Sequence, residues 1–196
     1  VVDSTARIVL ASASPRRREL LAQIGVAFHH QFTEIEECRR DNEPADTYVQ
    51  RLALEKARAV RALRGAPGLP VLGADTEVVI DGEPLGKPAD LAHARSMLQR
   101  LSGRRHEVLS AVALVGEREA VRLSRSRVTL RAVEAAEIDA YWRSGEPRDK
   151  AGGYAIQGLG AIFIERLEGS YSGVMGLPLY ETAALLQDFG IPILDG

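Results

Sequence analysis

A single cysteine, Cys38, stands among 196 residues, so the chain can close no internal disulfide and build no thiolate metal cage. That usage fits a reducing compartment, and with no histidine beside it in a ligand spacing Cys38 reads as an ordinary surface or packing thiol. No uninterrupted apolar stretch approaches the ~20 residues that span a bilayer, and the first residues lack a charged start followed by a signal-peptide core. The expectation is a soluble, cytoplasmic protein. His29, His30, His93 and His106 show no metal-ligand spacing, the serines lack a nucleophile elbow, and the glycines spell neither a P-loop nor a dinucleotide fingerprint. Zinc hydrolases, acyl transferases and standard P-loop enzymes therefore recede. Nor is there an excess of positive charge: 25 Lys and Arg against 27 Asp and Glu leave a net −2. A surface built throughout for a nucleic-acid polymer is excluded, and any basic site must be local. Without repeats, low-complexity tracts or a long linker, residues 1–196 are expected to form one domain, with room for two lobes.

What the chain does have is apolar material in short, punctuated runs, 45% hydrophobic in all, enough for a real core. Ile8–Ala11 reads as a buried strand. Ser14 and Pro15 read as the cap and first turn of a helix that turns Leu20, Leu21 and Ile24 inward and stops at Gly25. After an acidic stretch over 33–43, Asp46 is expected to cap a longer helix with Val49, Leu52, Val60 and Leu63 inside and its end at Gly65. Val71–Ile80 is strand-like around a polar interruption, and Asp81-Gly82 is a hairpin signal returning the chain toward Lys87. Next come a helix capped by Asp90 that buries Leu91, Ala94, Met97, Leu98 and Leu101, strands over 107–115 and 122–133, and a short helix burying Ile138, Tyr141 and Trp142. A glycine-rich region around a strand over 161–167 and a helix from Pro178 close the chain. Arg125, Arg127, Thr129 and Arg131 read as a solvated strand face. Strands interleaved with helices, plus a hairpin, give an α/β class with a mixed sheet.

Three features go against what stability alone would choose, and such places are where function is expected. Arg16, Arg17 and Arg18 follow the capping Ser14, setting cations at the positive end of a helix. A polyphosphate resolves that conflict, met by backbone donors and guanidinium forks together. Lys56 falls in the apolar stripe of its helix rather than on the polar face with Arg51, Glu55 and Arg58, and there an ammonium needs either an anionic partner or a path to water for its tip. Asp75 sits inside a strand after Gly73, as a magnesium ligand, a base, or a partner of an arginine, and Glu36 or Glu37 could supply a further hard oxygen. Lys87 can join them if the hairpin folds back. In the loop 149–158 the glycines permit close ligand contact, and Gln157 offers a donor and an acceptor to a base edge.

The segments Ala11-Ser12-Ala13-Ser14-Pro15-Arg16-Arg17, Gly73-Ala74-Asp75-Thr76 and Lys87-Pro88, with the run from Asp149 through Gly158 to Gly169-Ser170-Tyr171 and Gly176-Leu177-Pro178, resemble the Maf family of septum-formation-inhibitor-like nucleoside triphosphate pyrophosphatases. The match runs in order over nearly the whole chain. The resemblance implies an elongated, two-lobed mixed sheet with flanking helices and a central cleft, like inosine triphosphate pyrophosphatases. It implies a homodimer, a divalent cation (magnesium or manganese) and hydrolysis of dTTP and UTP, or modified pyrimidine nucleotides, to monophosphate and diphosphate. Asp75 becomes the catalytic residue, Glu37 and Asp75 the metal ligands, and Ser12, Arg16, Arg17, Lys56, Thr76, Lys87 and Gln157 the substrate contacts. Glu77 stands where many relatives carry an apolar residue. A rival reading from the same resemblance is a cell-division regulator acting mainly by binding nucleotide or protein.

Overall fold

In the computed structural model, which describes residues 6–63 and 68–194, the apolar run Ile8–Ala11 forms β1, buried along its whole length. Pro15, at the first helical position, starts α1 (Pro15–Gln23). The chain returns through β2 (Phe28–Gln31), which the polar sequence Phe-His-His-Gln concealed from a reading by hydrophobic pattern. Helix α2 (Ala45–Arg61) follows, then β3 (Val71–Ile80), the two-residue β4 (Glu83–Pro84) and α3 (Leu91–Leu101). The long antiparallel pair β5 (Arg105–Val115) and β6 (Glu119–Leu130) leads to α4 (Ala135–Arg143), three short 3-10 turns, β7 (Ile164–Glu168), α5 (Tyr171–Met175) and α6 (Leu179–Asp188). All strands join one seven-stranded sheet, in the order β2-β1-β3-β5-β6-β7 with β4 on the free end of β3; β1 runs parallel to β2 and β3, and the other pairs are antiparallel.

Side-chain alternation along β3 divides the core. One face of the sheet, with Gly73, Val79, Leu109 and Ala111, lies under α2. A Cβ on Gly73 would sit 2.2 Å from the Ala53 carbonyl oxygen, so glycine is what lets helix and strand backbones touch. On the opposite face two apolar clusters form, one from Leu72, Ala74, Val112 and Leu114 with α1 and α6, the other from Val78, Ile80, Val108 and Val128 with α3 and α4. Each fully buried leucine in them contributes roughly 1.5–3 kcal/mol. A polar row separates the clusters: Thr76 faces Ser110 across β3 and β5, and Ser110 faces Ser124 across β5 and β6. These clusters are the two lobes.

Several expected details shift. Pro44, not Asp46, occupies the cap position of α2; Asp46 lies in the first turn, hydrogen-bonded to the Thr47 amide and paired with Arg125. The helix ends at Arg61, Leu63 is half-buried, and Gly65 lies outside the described residues. Leu91 and Trp142 are half-buried too, each at the margin of its helix's inner face. Over 161–167 the first three residues belong to a 3-10 turn, because the Glu146 carboxylate captures the Leu159 and Gly160 amides and winds the chain before β7 can start. Strand β6 stops at Leu130. Asp90 caps α3 through the His93 amide, and Asp81 and Gly82 take left-handed conformations in the hairpin, as expected. Among the described residues no helix is long and apolar enough to cross a membrane, and Cys38 is exposed.

Candidate active site

β1 ends opposite Gly73, and β4, running antiparallel, ends with Pro84 opposite Val79. Between them, from Ala74 to Glu77, that edge of β3 has no neighbouring strand among the described residues. A cleft of about 550 Å³ opens there, within the range of small-molecule sites. The gap exposes the strand to ligands from its edge, so the alternating side chains Asp75, Thr76 and Glu77 serve the same cleft from opposite faces of the sheet.

On the α2 face, the approach allowed by Gly73 brings Lys56 to Asp75. The ammonium lies 2.7 Å from Asp75 Oδ1 and 2.9 Å from Glu37 Oε1, with side-chain exposures of 15%, 6% and 45% for Lys56, Asp75 and Glu37. The Lys56 anomaly thus resolves as a partnered cation rather than a tip in water. Glu37 arrives on the acidic stretch 33–43, which has no regular structure and is pinned from α2. Tyr48 donates to the Glu37 carbonyl at 2.9 Å, and Arg51 donates to the Cys38 carbonyl and, at 2.7 Å from two nitrogens, to both oxygens of Glu43. Glu36 is exposed and does not line the cleft.

Glu77 completes this face. It is 9% exposed; burial first, then the Asp75 charge, push its carboxyl up to about 8, with Lys56 and the Gly86 backbone amide opposing. Asp75 Oδ2 and Glu77 Oε2 are both buried with no hydrogen-bond partner among the described residues. The Tyr48 phenol is pushed up to about 12 by burial and by the charges of Glu77, Asp75 and Glu37.

Arg17 governs the other face. It donates to the Gly176 carbonyl at 2.8 Å, and at 3.4 Å to the hydroxyls of Ser12 and of Thr76. Thr76 bonds Ser110 at 3.0 Å, and Ser110 donates to the Gly173 carbonyl at 2.6 Å, so the polar row anchors α5 and the turn that carries Gly176. Three of five guanidinium donors are used, leaving two for an anion. Burial lowers the Arg17 pKa, and Asp75 pulls it back up. The Ser14 side chain makes no capping bond, which leaves the first amides of α1 without a side-chain acceptor. Arg16 reaches across the mouth to Asp149 at 3.4 Å. Arg18 is half-buried and does not line the cleft.

The rim opposite α1 is the glycine-rich loop. Gly152 donates to the Gly86 carbonyl at 2.8 Å, tying the loop to the hairpin exit and setting exposed Lys87 on the cleft wall. With φ +66° and the Val78 side chain 2.8 Å from any added Cβ, Gly152 can be only glycine. Exposed Gln157 also lines the cleft, its segment held by the Glu146 carboxylate and by Tyr141, whose hydroxyl accepts from the Ala155 amide. Tyr154, beside it, meets buried His106 at 2.7 Å; burial holds that imidazole down to about 4.

The profile of the Maf-like protein family matches residues 7–189. This chain belongs to that family. Among curated relatives, the dTTP/UTP pyrophosphatase of Alkalilimnicola ehrlichii is 58% identical over 94% of this chain and 93% of its own length. That of Hahella chejuensis is 54% identical over 95% and 94%. The Staphylococcus aureus Ham1 protein is similar at 18% identity and a TM-score of 0.46, over 63% of this chain and 71% of its own.

The Maf-like chain thus brings Ser12, Arg16, Arg17, Glu37, Lys56, Asp75, Thr76, Lys87 and Gln157 to one cleft. Sequence reasoning missed Tyr48, Ser110 and the Glu43–Arg51 pair, and it placed Arg51 on the polar face of α2. Its side chain is instead only 14% exposed. The available signal was an arginine eight residues from a glutamate flanking a helix start, too common a spacing to single out.

Proposed function

We propose that this chain is a nucleoside triphosphate pyrophosphatase, one Maf-like unit over residues 1–196, hydrolysing dTTP and UTP to the monophosphate and pyrophosphate. The observation that carries the reading is the open edge of β3, where the Lys56–Asp75 pair on one sheet face and Arg17 on the other meet in a nucleotide-sized cleft. The names of the 54–58% identical relatives support the substrate class.

The chemistry follows from the groups present. Lys56 holds Asp75 through Oδ1, and the unpartnered Oδ2 is the oxygen that takes a proton from water attacking the α-phosphorus. An oxygen–phosphorus bond forms at the α-phosphate as the bond to the bridging oxygen breaks, and the electron pair leaves with pyrophosphate. Arg17, Lys87 and the free amides of α1 receive that charge; Arg16 does so on releasing Asp149. Thr76 and Ser12 hold the Arg17 fork in register, and Gln157 meets the base edge.

The residues also fit a hard divalent cation, since two buried carboxylate oxygens of the cleft, Asp75 Oδ2 and Glu77 Oε2, lack a donor among the described residues. Among the described residues no three His, Cys, Asp or Glu form a ready cage. Magnesium, which commonly takes one or two carboxylates and completes its shell with phosphate oxygens and water, needs none. Asp75 and Glu37 would hold it, and when bound it neutralises phosphate charge and polarises the phosphoryl group.

A pyrophosphate-release screen over the common triphosphates, with magnesium and manganese, tests the reading. dTTP and UTP should be cleaved fastest, and Asp75→Asn should slow release by roughly 10²- to 10⁴-fold. Near-normal release by Asp75→Asn with either metal would falsify the assignment.

A further inference from the structure

Glu77 is a buried carboxylate that no salt bridge joins to a cation among the described residues. Glu77 and Asp75 are alternate residues of β3 and share the sheet face under α2. Lys56, the ammonium of that face, is engaged by Asp75 and Glu37 at 2.7 and 2.9 Å, and no ion pair joins it to Glu77 among the described residues. Tyr48 spends its proton on the Glu37 carbonyl. Glu77 Oε2 remains buried without a donor, two residues from the equally unpartnered Asp75 Oδ2. An unpaired buried acceptor is costly, and a charged one more so. Three carboxylates facing one ammonium leave this side of the cleft with room for a dication, whereas Arg17 serves the opposite face.

Building on the pyrophosphatase reading, we infer that Glu77 is a further cation-holding carboxylate of this site, sharing one hard divalent ion with Asp75. It makes this part of the cleft a metal site before nucleotide arrives, not only a surface that receives a metal–nucleotide complex.

The test is a titration with Mn²⁺ alone, without nucleotide, followed by electron paramagnetic resonance and water proton relaxation on wild type, Glu77→Gln and Asp75→Asn. The wild type should bind Mn²⁺ saturably, and Glu77→Gln should bind it at least about tenfold more weakly. Melting in chelator should show Glu77→Gln as stable as wild type or more so, with the Mn²⁺-induced rise in melting temperature reduced. Glu77→Val, which suits a strand with apolar neighbours, serves as a second variant should Glu77→Gln fold poorly. Equal Mn²⁺ affinity in wild type and variants at Glu77, or no saturable binding by wild type, overturns the inference. Pyrophosphate release by the wild type is read separately: release with unchanged Mn²⁺ affinity in Glu77→Gln sinks this inference alone, and no release sinks the parent reading.

Discussion

Glu43 and Glu77 are buried to nearly the same degree, 7% and 9% exposed, yet their surroundings treat them oppositely. Glu43 receives two 2.7 Å hydrogen bonds from Arg51 and one from the Arg40 amide, and Arg51 drives its carboxyl down to about 2. Glu77 faces Asp75 and apolar strand neighbours, and burial drives it up to about 8. One acid is closed off within the fold; the other is left open. The difference separates a structural cluster from a site: groups that satisfy each other need no ligand, and a group left unsatisfied marks where one belongs.

The closed cluster is the place for the largest effect. Arg51→Ala leaves Glu43 buried without its cation and should cost about 3–5 kcal/mol of stability, measured by urea denaturation. Because Arg51 also pins the segment bearing Glu37, activity of the folded fraction should fall only modestly. A catalytic collapse with unchanged stability would mean that Arg51 belongs to the site and that the comparison is misdrawn.

Legibility in the sequence follows the same division. β1, α1, β3, its hairpin and α3 were readable because each combines a periodic apolar run with a turn or cap residue that fixes its end, as Gly25, Gly82 and Asp90 do. Lys56 and Asp75 stood out because a charge in an apolar pattern breaks a local rule. β2 was hidden because an edge strand shielded on one side can carry Phe-His-His-Gln. The 3-10 turn over Leu159–Phe163 was hidden because its cause, the Glu146 carboxylate, lies thirteen residues earlier in the sequence. Arg51 escaped notice because its partner satisfies it, so nothing in the local pattern was violated. Glu77 was visible as a residue, but its meaning depended on whether Lys56 had a bond to spare.

Lys56→Met breaks the open cluster instead. Its apolar stem is replaced, so packing of α2 against the sheet is largely kept, while Asp75 loses the contact that fixes Oδ1. Turnover should fall roughly 10²- to 10³-fold, about 3–4 kcal/mol in barrier height, with a smaller stability change than Arg51→Ala. Parallel pyrophosphate-release kinetics and melts on the two variants should therefore show opposite rankings. If both lose stability alike, the Lys56 pair is structural and the division between clusters fails.

The smallest effect is the most diagnostic one, because the two glutamates must bend the stability–pH curve in opposite senses. Glu43, with its folded pKa depressed, contributes stability that is present above its ordinary 4.5 and lost as pH falls toward about 2. Glu77, with its folded pKa raised, contributes stability that is complete below 4.5 and lost as pH rises toward about 8. In chelator, the Glu77 loss between about pH 5 and pH 7 should be about 2 kcal/mol. Buried His106, held down to about 4, works the other way, its contribution present above 6.5 and lost as pH falls. The informative quantity is thus the difference between wild type and Glu77→Gln, which should widen in favour of the variant from pH 5 to pH 7 and shrink when Mn²⁺ replaces the chelator. A difference that stays flat across that interval would place a donor on Glu77 and dissolve its contrast with Glu43.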